Sequence, residues 1–421
     1  MAARSKPGSS ARTTSRSNPR VGPMTAEHRP VPRLDVDALL DDPRRRIIVC
    51  CGSGGVGKTT TAASLALRAA ERGRKVVVLT IDPARRLAQS MGIEALDNVP
   101  RPVPGVSTGS TTGKAGSLDA MMLDMKRTFD EVVESQASPE KARQILNNPF
   151  YIAVSSSFAG TQEYMAMEKL GQLDKDARAS GRWDLIVVDT PPSRSALDFL
   201  DAPERLSSFL DGKFMRLLLA PARGPARLMT AGFNMVTKAV TTIIGGQVLS
   251  DMQAFVSAFD TLFGGFRQRA QRTFELLQAD GTSFLVVAAP EPDALREAAY
   301  FVERLSAEQM PLAGLVVNRA SVEPPVDLSP ATAMAGYEKL RDSSDDASLT
   351  AAGLLRLHAD RQLIVERETR LRGRFATAHP DVATVVLPAL PTDVHDLEGL
   401  RKIGALLNEE DPGTAPGTAA V

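Results

Sequence analysis

The segment Gly52-Ser-Gly-Gly-Val-Gly-Lys-Thr-Thr60 constrains the fold of this chain more tightly than any other. It satisfies the spacing G-x-x-x-x-G-K-[ST] at Gly52, Gly57, Lys58 and Thr59. A loop of this kind works only between a buried strand and the N-terminus of a helix, where backbone N–H groups and the helix dipole converge on an anion. The flanks agree. Residues 46–51 are a short apolar run suited to a parallel strand, and residues 60–72 are an Ala/Leu-rich helical pattern halted at Gly73. The pattern predicts a nucleoside triphosphate held by the backbone and side chains of Gly54, Gly55, Val56, Gly57, Lys58, Thr59 and Thr60. Lys58 reaches the β- and γ-phosphates in this reading, and the Thr59 hydroxyl takes one coordination position on Mg²⁺.

Charge narrows the partners. Lys+Arg and Asp+Glu number 50 each, so no global field draws the chain to nucleic acid, and none is expected as a partner. The only cysteines are Cys50 and Cys51. As neighbours on a strand they point to opposite faces, which excludes a disulfide between them and any cysteine-built metal cage. That fits a reducing cytoplasm. No uninterrupted apolar run is long enough to cross a bilayer, and no charged-then-apolar leader opens the sequence. A cytoplasmic location is the expectation.

Along the chain, residues 1–33 are rich in Ser, Arg, Pro and Gly and read as a disordered basic arm, and residues 409–421 as a low-complexity tail. Between them, over 34–408, Val/Ile/Leu runs alternate with helical patterns. The predicted class is α/β, a mostly parallel, doubly wound sheet. Candidate strands are 46–51, 75–81, 119–124, 183–189, 283–289, 312–318 and 383–387. Residues 101–117 read as an exposed loop, and 322–348 as a mostly irregular surface insertion. Two stretches without strand signal, about 126–175 and 195–279, read as an inserted helical subdomain. Within it, Lys238 is the only charge between Leu228 and Leu249. With Met215, Met229, Met235 and Met252 this segment is either core or the lining of an adaptable apolar groove.

Two carboxylates sit where a phosphate-loop enzyme needs them. The apolar run 183–189 ends in Asp189-Thr-Pro-Pro, a strand-end carboxylate placed to hold a Mg²⁺ water. The run 75–82 ends in Asp82-Pro-Ala-Arg-Arg86, where Asp82 either orients an attacking water or caps the following helix.

With those residues in view the chain resembles the deviant phosphate-loop ATPases that include the arsenite-pump ATPases and the targeting ATPases for tail-anchored membrane proteins. The resemblance spans most of 46–408. It is carried by the loop at 54–60, Asp82-Pro-Ala, Gly160-Thr-Gln-Glu163, Asp189-Thr-Pro-Pro, Ala289-Pro-Glu-Pro292, Val316-Val-Asn318 and Leu387-Pro-Ala-Leu-Pro391 with Val394. Asp82-Pro-Ala-Arg-Arg-Leu-Ala is similar to an actinobacterial branch of that family. The resemblance implies that Asp82 is the catalytic carboxylate, and that Asn318 and the loop carrying Pro388 and Pro391 hold adenine. It also implies a dimer that opens and closes around ATP and couples hydrolysis to a membrane-associated cargo, such as a hydrophobic membrane-protein client, or to a transporter.

Three departures accompany it. The family's loop usually carries a lysine at the position of Ser53, reaching phosphate across the dimer interface. The metalloid-binding cysteines of the arsenite pumps have no counterpart, and the zinc-binding Cys-x-x-Cys of the targeting enzymes is missing from the cysteine-free stretch 340–360. No zinc is expected. The predicted function is a Mg²⁺-dependent, dimeric ATP hydrolase with Lys58 and Asp82 catalytic, either a homodimer or a heterodimer with a paralogue carrying the loop lysine. The heterodimer is the favoured form, because a serine supplies no charge. The alternatives are a weakly active or non-hydrolysing regulatory subunit and a partitioning or positioning switch.

Overall fold

The computed structural model describes residues 31–82, 86–106, 115–149, 151–152, 155, 161–191, 265 and 268–409. Eight strands among them form one sheet: β1 (Ile47–Cys51), β2 (Lys75–Thr80), β3 (Arg101–Pro102), β4 (Ser117–Met122), β5 (Leu185–Asp189), β6 (Thr282–Ala288), β7 (Leu312–Ala320) and β8 (Thr384–Pro388). Their order is β3-β4-β2-β5-β1-β6-β7-β8. All pairs are parallel except β3 with β4. Every residue of β1, β5 and β6 is buried, as a sheet covered on both faces requires.

Alternating side chains feed two cores. Ile47, Val49 and Cys51 point into one, and Ile48 and Cys50 into the other. Each fully buried Val, Leu or Ile contributes about 1.5–3 kcal/mol, so the central strands dominate the stability of the sheet. Helix α1 (Val36–Asp41), helix α2 (Lys58–Glu71) and the last helix, Leu397–Leu406, cover the Cys50 face. Arg68 ties α2 to α1 through a two-pronged contact with Asp37 at 2.6 and 2.7 Å. The Cys51 face is covered by α4 (Met125–Gln136), α5 (Pro139–Leu146), α6 (Thr161–Ser180) and α7 (Pro292–Ala307), and the short α3 (Arg86–Ser90) packs beside α2.

Seven of the eight strands fall on the runs read from sequence. The eighth, β3, lies at the start of the segment 101–117 that reads as loop; two residues carry no periodicity, and only their pairing with Asp119 and Ala120 makes them a strand. The larger correction concerns 322–348. It contains α8 (Pro330–Leu340), capped by Ser329, and the start of α9 (Asp346–Ala378), capped by Asp345. These two pack against each other as a hairpin. Proline and acid content signalled surface, yet Pro330 occupies the first helical turn, where a missing N–H costs nothing, and the acids cap. The Met-rich segment 228–249 lies outside the described residues, as do both chain ends and Gly160; the side chains of 161–163 are likewise not described. From 268 to 278 the chain is helical.

Candidate functional site

The site forms where β1, β5 and β2 end side by side. Cys50 pairs with Asp189, and Asp189 with Thr80. The α2 crossover from β1 to β2 skips one strand position, leaving β5 between them. The carboxyl edge of such a sheet is where α/β proteins bind ligands.

The loop leaves β1 through Gly52. A side chain there would bring a Cβ within 2.1 Å of the Val287 carbonyl oxygen on β6, and φ is +148°. At Gly57, the N-cap of α2, φ is +94° and a Cβ would lie 2.2 Å from Asn318 Nδ2. No side chain caps this helix, so its first N–H groups remain available to an anion. Gly54 and Gly55 are exposed at the loop tip, Val56 anchors it in the core, and Thr60 lies partly buried at the start of α2.

Lys58 is buried, and its Nζ donates to the Ser53 carbonyl oxygen at 2.8 Å. Burial lowers its pKa, opposed by the Asp189 and Asp82 carboxylates. Ser53 Oγ is buried without a hydrogen-bond partner. The Thr59 hydroxyl donates to Asp189 Oδ2 at 2.7 Å, and the Thr80 hydroxyl donates to the same oxygen at 2.8 Å. Burial pushes the Asp189 carboxyl up to about 6, against the pull of these two hydroxyls and Lys58 and with a further push from Asp82. The backbone N–H of Asp82 donates to Thr80 Oγ1 at 3.2 Å. Lys58, Thr59, Asp189 and Asp82 thus converge, although 131 positions separate Lys58 from Asp189 in the chain.

The donor set suits Mg²⁺. Asp189 Oδ1 is buried and has no hydrogen-bond partner, next to the Thr59 hydroxyl. An orphaned carboxylate oxygen beside a hydroxyl is hard-oxygen chemistry, which favours a small divalent cation. Among the described residues no cluster of three or more His, Cys, Asp or Glu side chains is arranged to hold a metal ion by itself.

At the far side of the loop, Asn318 Nδ2 donates to the Val56 carbonyl at 2.8 Å. Ala320 pairs with Pro388, so Asn318 and the start of the 388–394 loop occupy neighbouring strand ends. Pro391 is exposed further along that loop. A cleft of about 590 Å³ opens between the loop, at Leu390, Thr392 and Val394, and the Leu397–Leu406 helix, at Glu398, Arg401 and Lys402. Sequence reasoning passed over two residues of the site. Thr80 is a lone hydroxyl in the strand Val-Val-Val-Leu-Thr, and Arg319 follows Asn318 directly. Arg319 has φ +63°, a conformation that costs a side-chain-bearing residue about 1–2 kcal/mol. Pro83, Ala84 and Arg85 lie outside the described residues, as does the chain from Pro192 to 264.

A glycine-rich strand–loop–helix at the carboxyl edge of a parallel sheet, with a strand-end aspartate beside it, defines the phosphate-loop nucleotide-binding class. Within that class the chain belongs to the ArsA ATPase family, the anion-transporting ATPases, whose family model matches residues 45–336. It is 26% identical to an ATPase ASNA1 homolog of Cryptosporidium parvum over 290 residues, 69% of this chain and 68% of that protein. It is 24% identical to ATPase GET3C of Arabidopsis thaliana over 270 residues, 63% of this chain and 64% of the relative. Identity to an arsenical pump-driving ATPase of Acidiphilium multivorum is 29% over 158 residues, 37% of this chain and only 25% of that protein. Among the described residues no helix is long and apolar enough to cross a membrane.

Proposed function

We propose that this chain is a Mg²⁺-dependent ATP hydrolase that works as a dimer and couples hydrolysis to a membrane-associated client. The observation that carries the reading is the convergence of Thr59 and Thr80 on Asp189 Oδ2, with Lys58 and Asp82 close enough to perturb it electrostatically. Lys58 exchanges its bond to the Ser53 carbonyl for the β- and γ-phosphates, where positive charge is worth most as negative charge shifts during phosphoryl transfer. The N-terminal amides of α2 bind the β-phosphate. Thr59 and, through water, Asp189 would hold Mg²⁺. When bound, the metal neutralises phosphate charge and orients the terminal phosphoryl group. Asp82, on the turn tied to Thr80, accepts a hydrogen bond from the attacking water and aligns it. The loop carrying Pro388 and Pro391 holds the adenine together with Asn318, through the amide N–H and oxygen lone pair that its bonds to Val56 and Arg319 leave over.

Two variants test this. Lys58→Ala abolishes tight binding of ATP, whereas Asp82→Asn binds ATP with Mg²⁺ and turns over about 30- to 1000-fold more slowly, a loss of about 2–4 kcal/mol. Wild-type turnover by Asp82→Asn removes Asp82 from the mechanism, and undiminished ATP binding by Lys58→Ala removes the phosphate-loop reading itself.

Ser53 favours a second arrangement, a chain of low activity by itself whose partner supplies the missing loop lysine. A serine at position 53 carries no charge with which to meet a phosphate.

A further inference from the structure

β7 departs from regular pairing at its end. Its register against β8 shifts between Val317 and Ala320, and the two residues in that bulge, Asn318 and Arg319, both turn onto the phosphate loop. Asn318 Nδ2 donates to the Val56 carbonyl at 2.8 Å. An Arg319 guanidinium nitrogen, Nη1, donates to the Gly55 carbonyl at 3.0 Å. The Arg319 backbone N–H donates to Asn318 Oδ1 at 3.0 Å, which fixes the Asn318 side chain against the Arg319 backbone. At φ +63° a bulge position ordinarily takes glycine. An arginine held there against its conformational preference signals a task for the side chain.

We infer that Arg319 is a positioning residue for the triphosphate, acting through the direction of the loop's peptide planes. This rests on the proposal that the loop binds nucleotide. In a planar trans peptide the carbonyl of one residue and the N–H of the next point in opposite directions. Fixing the Gly55 carbonyl on the Arg319 side therefore turns the Val56 N–H to the opposite side, and fixing the Val56 carbonyl on Asn318 does the same for the Gly57 N–H. Those two N–H groups belong to the concave surface that receives phosphate. Gly54, Gly55 and Gly57 give the loop backbone the freedom to curl, and with it the freedom to collapse into conformations that bind nothing. The Asn318–Arg319 bulge removes that freedom before the ligand arrives, so less ordering remains to be done on binding. Arg319 touches no phosphate in this scheme; its effect falls on affinity for the β-phosphate, which ADP and ATP share.

The decisive variant is Arg319→Gly, because glycine is at ease at this φ and the side chain is lost, its bond to Gly55 included, without new backbone strain. Titration of the full chain with ADP and with a non-hydrolysable ATP analogue, both with Mg²⁺, is expected to show both affinities about tenfold weaker. Steady-state assays are expected to place the loss in KM, with kcat within about threefold of wild type, and thermal melting to give a Tm at or above wild type. Arg319→Lys, whose ammonium still donates to a carbonyl, recovers most of the affinity. Wild-type affinity for both nucleotides in Arg319→Gly overturns the inference. So does a loss confined to kcat, or an affinity loss that tracks a fall in Tm. Failure of the wild-type chain to bind either nucleotide overturns the nucleotide reading, and this inference with it.

Discussion

Thr80 Oγ1 donates to Asp189 Oδ2 across 2.8 Å, joining the end of β2 to the end of β5. The same hydroxyl oxygen accepts the backbone N–H of Asp82. One side chain therefore links the carboxylate proposed for the metal to the backbone of the one proposed for the nucleophile, beside the Ile81 N–H bond to the Asp189 carbonyl at 2.9 Å.

Replacing that hydroxyl isolates the coupling. Thr80→Val keeps the shape and removes both hydrogen bonds, leaving Asp189 Oδ2 with the Thr59 hydroxyl and taking away one of the bonds that hold the Asp82 turn. The expected result is a fall in kcat of about tenfold, corresponding to roughly 1.4 kcal/mol, with ATP affinity changed by less than about threefold. A kcat equal to wild type would show that the turn is held elsewhere.

Asp189 also sets a pH dependence. Burial lifts its folded-state carboxyl to about 6, above the unfolded value near 3.9. The native state binds the proton more readily than the unfolded state between those values, so stability falls as pH rises through about 4 to 6 and the penalty is complete above about 6. In the absence of nucleotide and Mg²⁺, Asp189→Asn should melt higher than wild type at pH 8, by at most about 3 kcal/mol of stability, and identically at pH 3.5. Equal melting at pH 8 would mean that the charge is solvated or paired in the folded chain.

The two cysteines should be chemically silent. Both are buried; burial pushes the Cys51 thiol up to about 12 and the Cys50 thiol well above its ordinary value. They point into opposite cores. Thiolates, not thiols, bind soft metalloids, and neither forms here. A disulfide-exchange reagent should label neither cysteine until the protein is denatured, and arsenite should not raise ATPase activity. Saturable stimulation by arsenite that survives Cys50→Ser/Cys51→Ser would reveal another ligand set.

Ser53→Lys addresses the partner. If a paralogue supplies the missing charge, the chain alone hydrolyses ATP weakly, a lysine-bearing paralogue raises activity above the sum of the two, and Ser53→Lys partly restores activity to the chain alone. The restored charge is worth about 1–3 kcal/mol. Full activity from the unaltered chain, indifferent to Ser53→Lys, would leave the lysine without a role.

Local pattern was enough for much of this protein. Apolar runs bounded by turn residues marked seven strands, because a strand covered on both faces must be apolar along its length. The loop spacing marked Lys58 and Thr59, because phosphate geometry dictates that spacing within a few residues. Asp82 and Asp189 were legible as strand-end carboxylates but not as neighbours. The helices in 322–348 were not legible, since proline and acid mark a helix start as readily as a surface loop. Nor were Thr80 and Arg319. Only the strand order, with β5 seated between β1 and β2, brings Thr59, Thr80 and Asp189 to one point. Only the β7 bulge turns Arg319 onto Gly55, 264 positions away along the chain. Sequence determines what lies within a few residues, where covalent geometry and periodicity act; which distant residues meet is decided by packing two cores onto one sheet, a property of the whole chain.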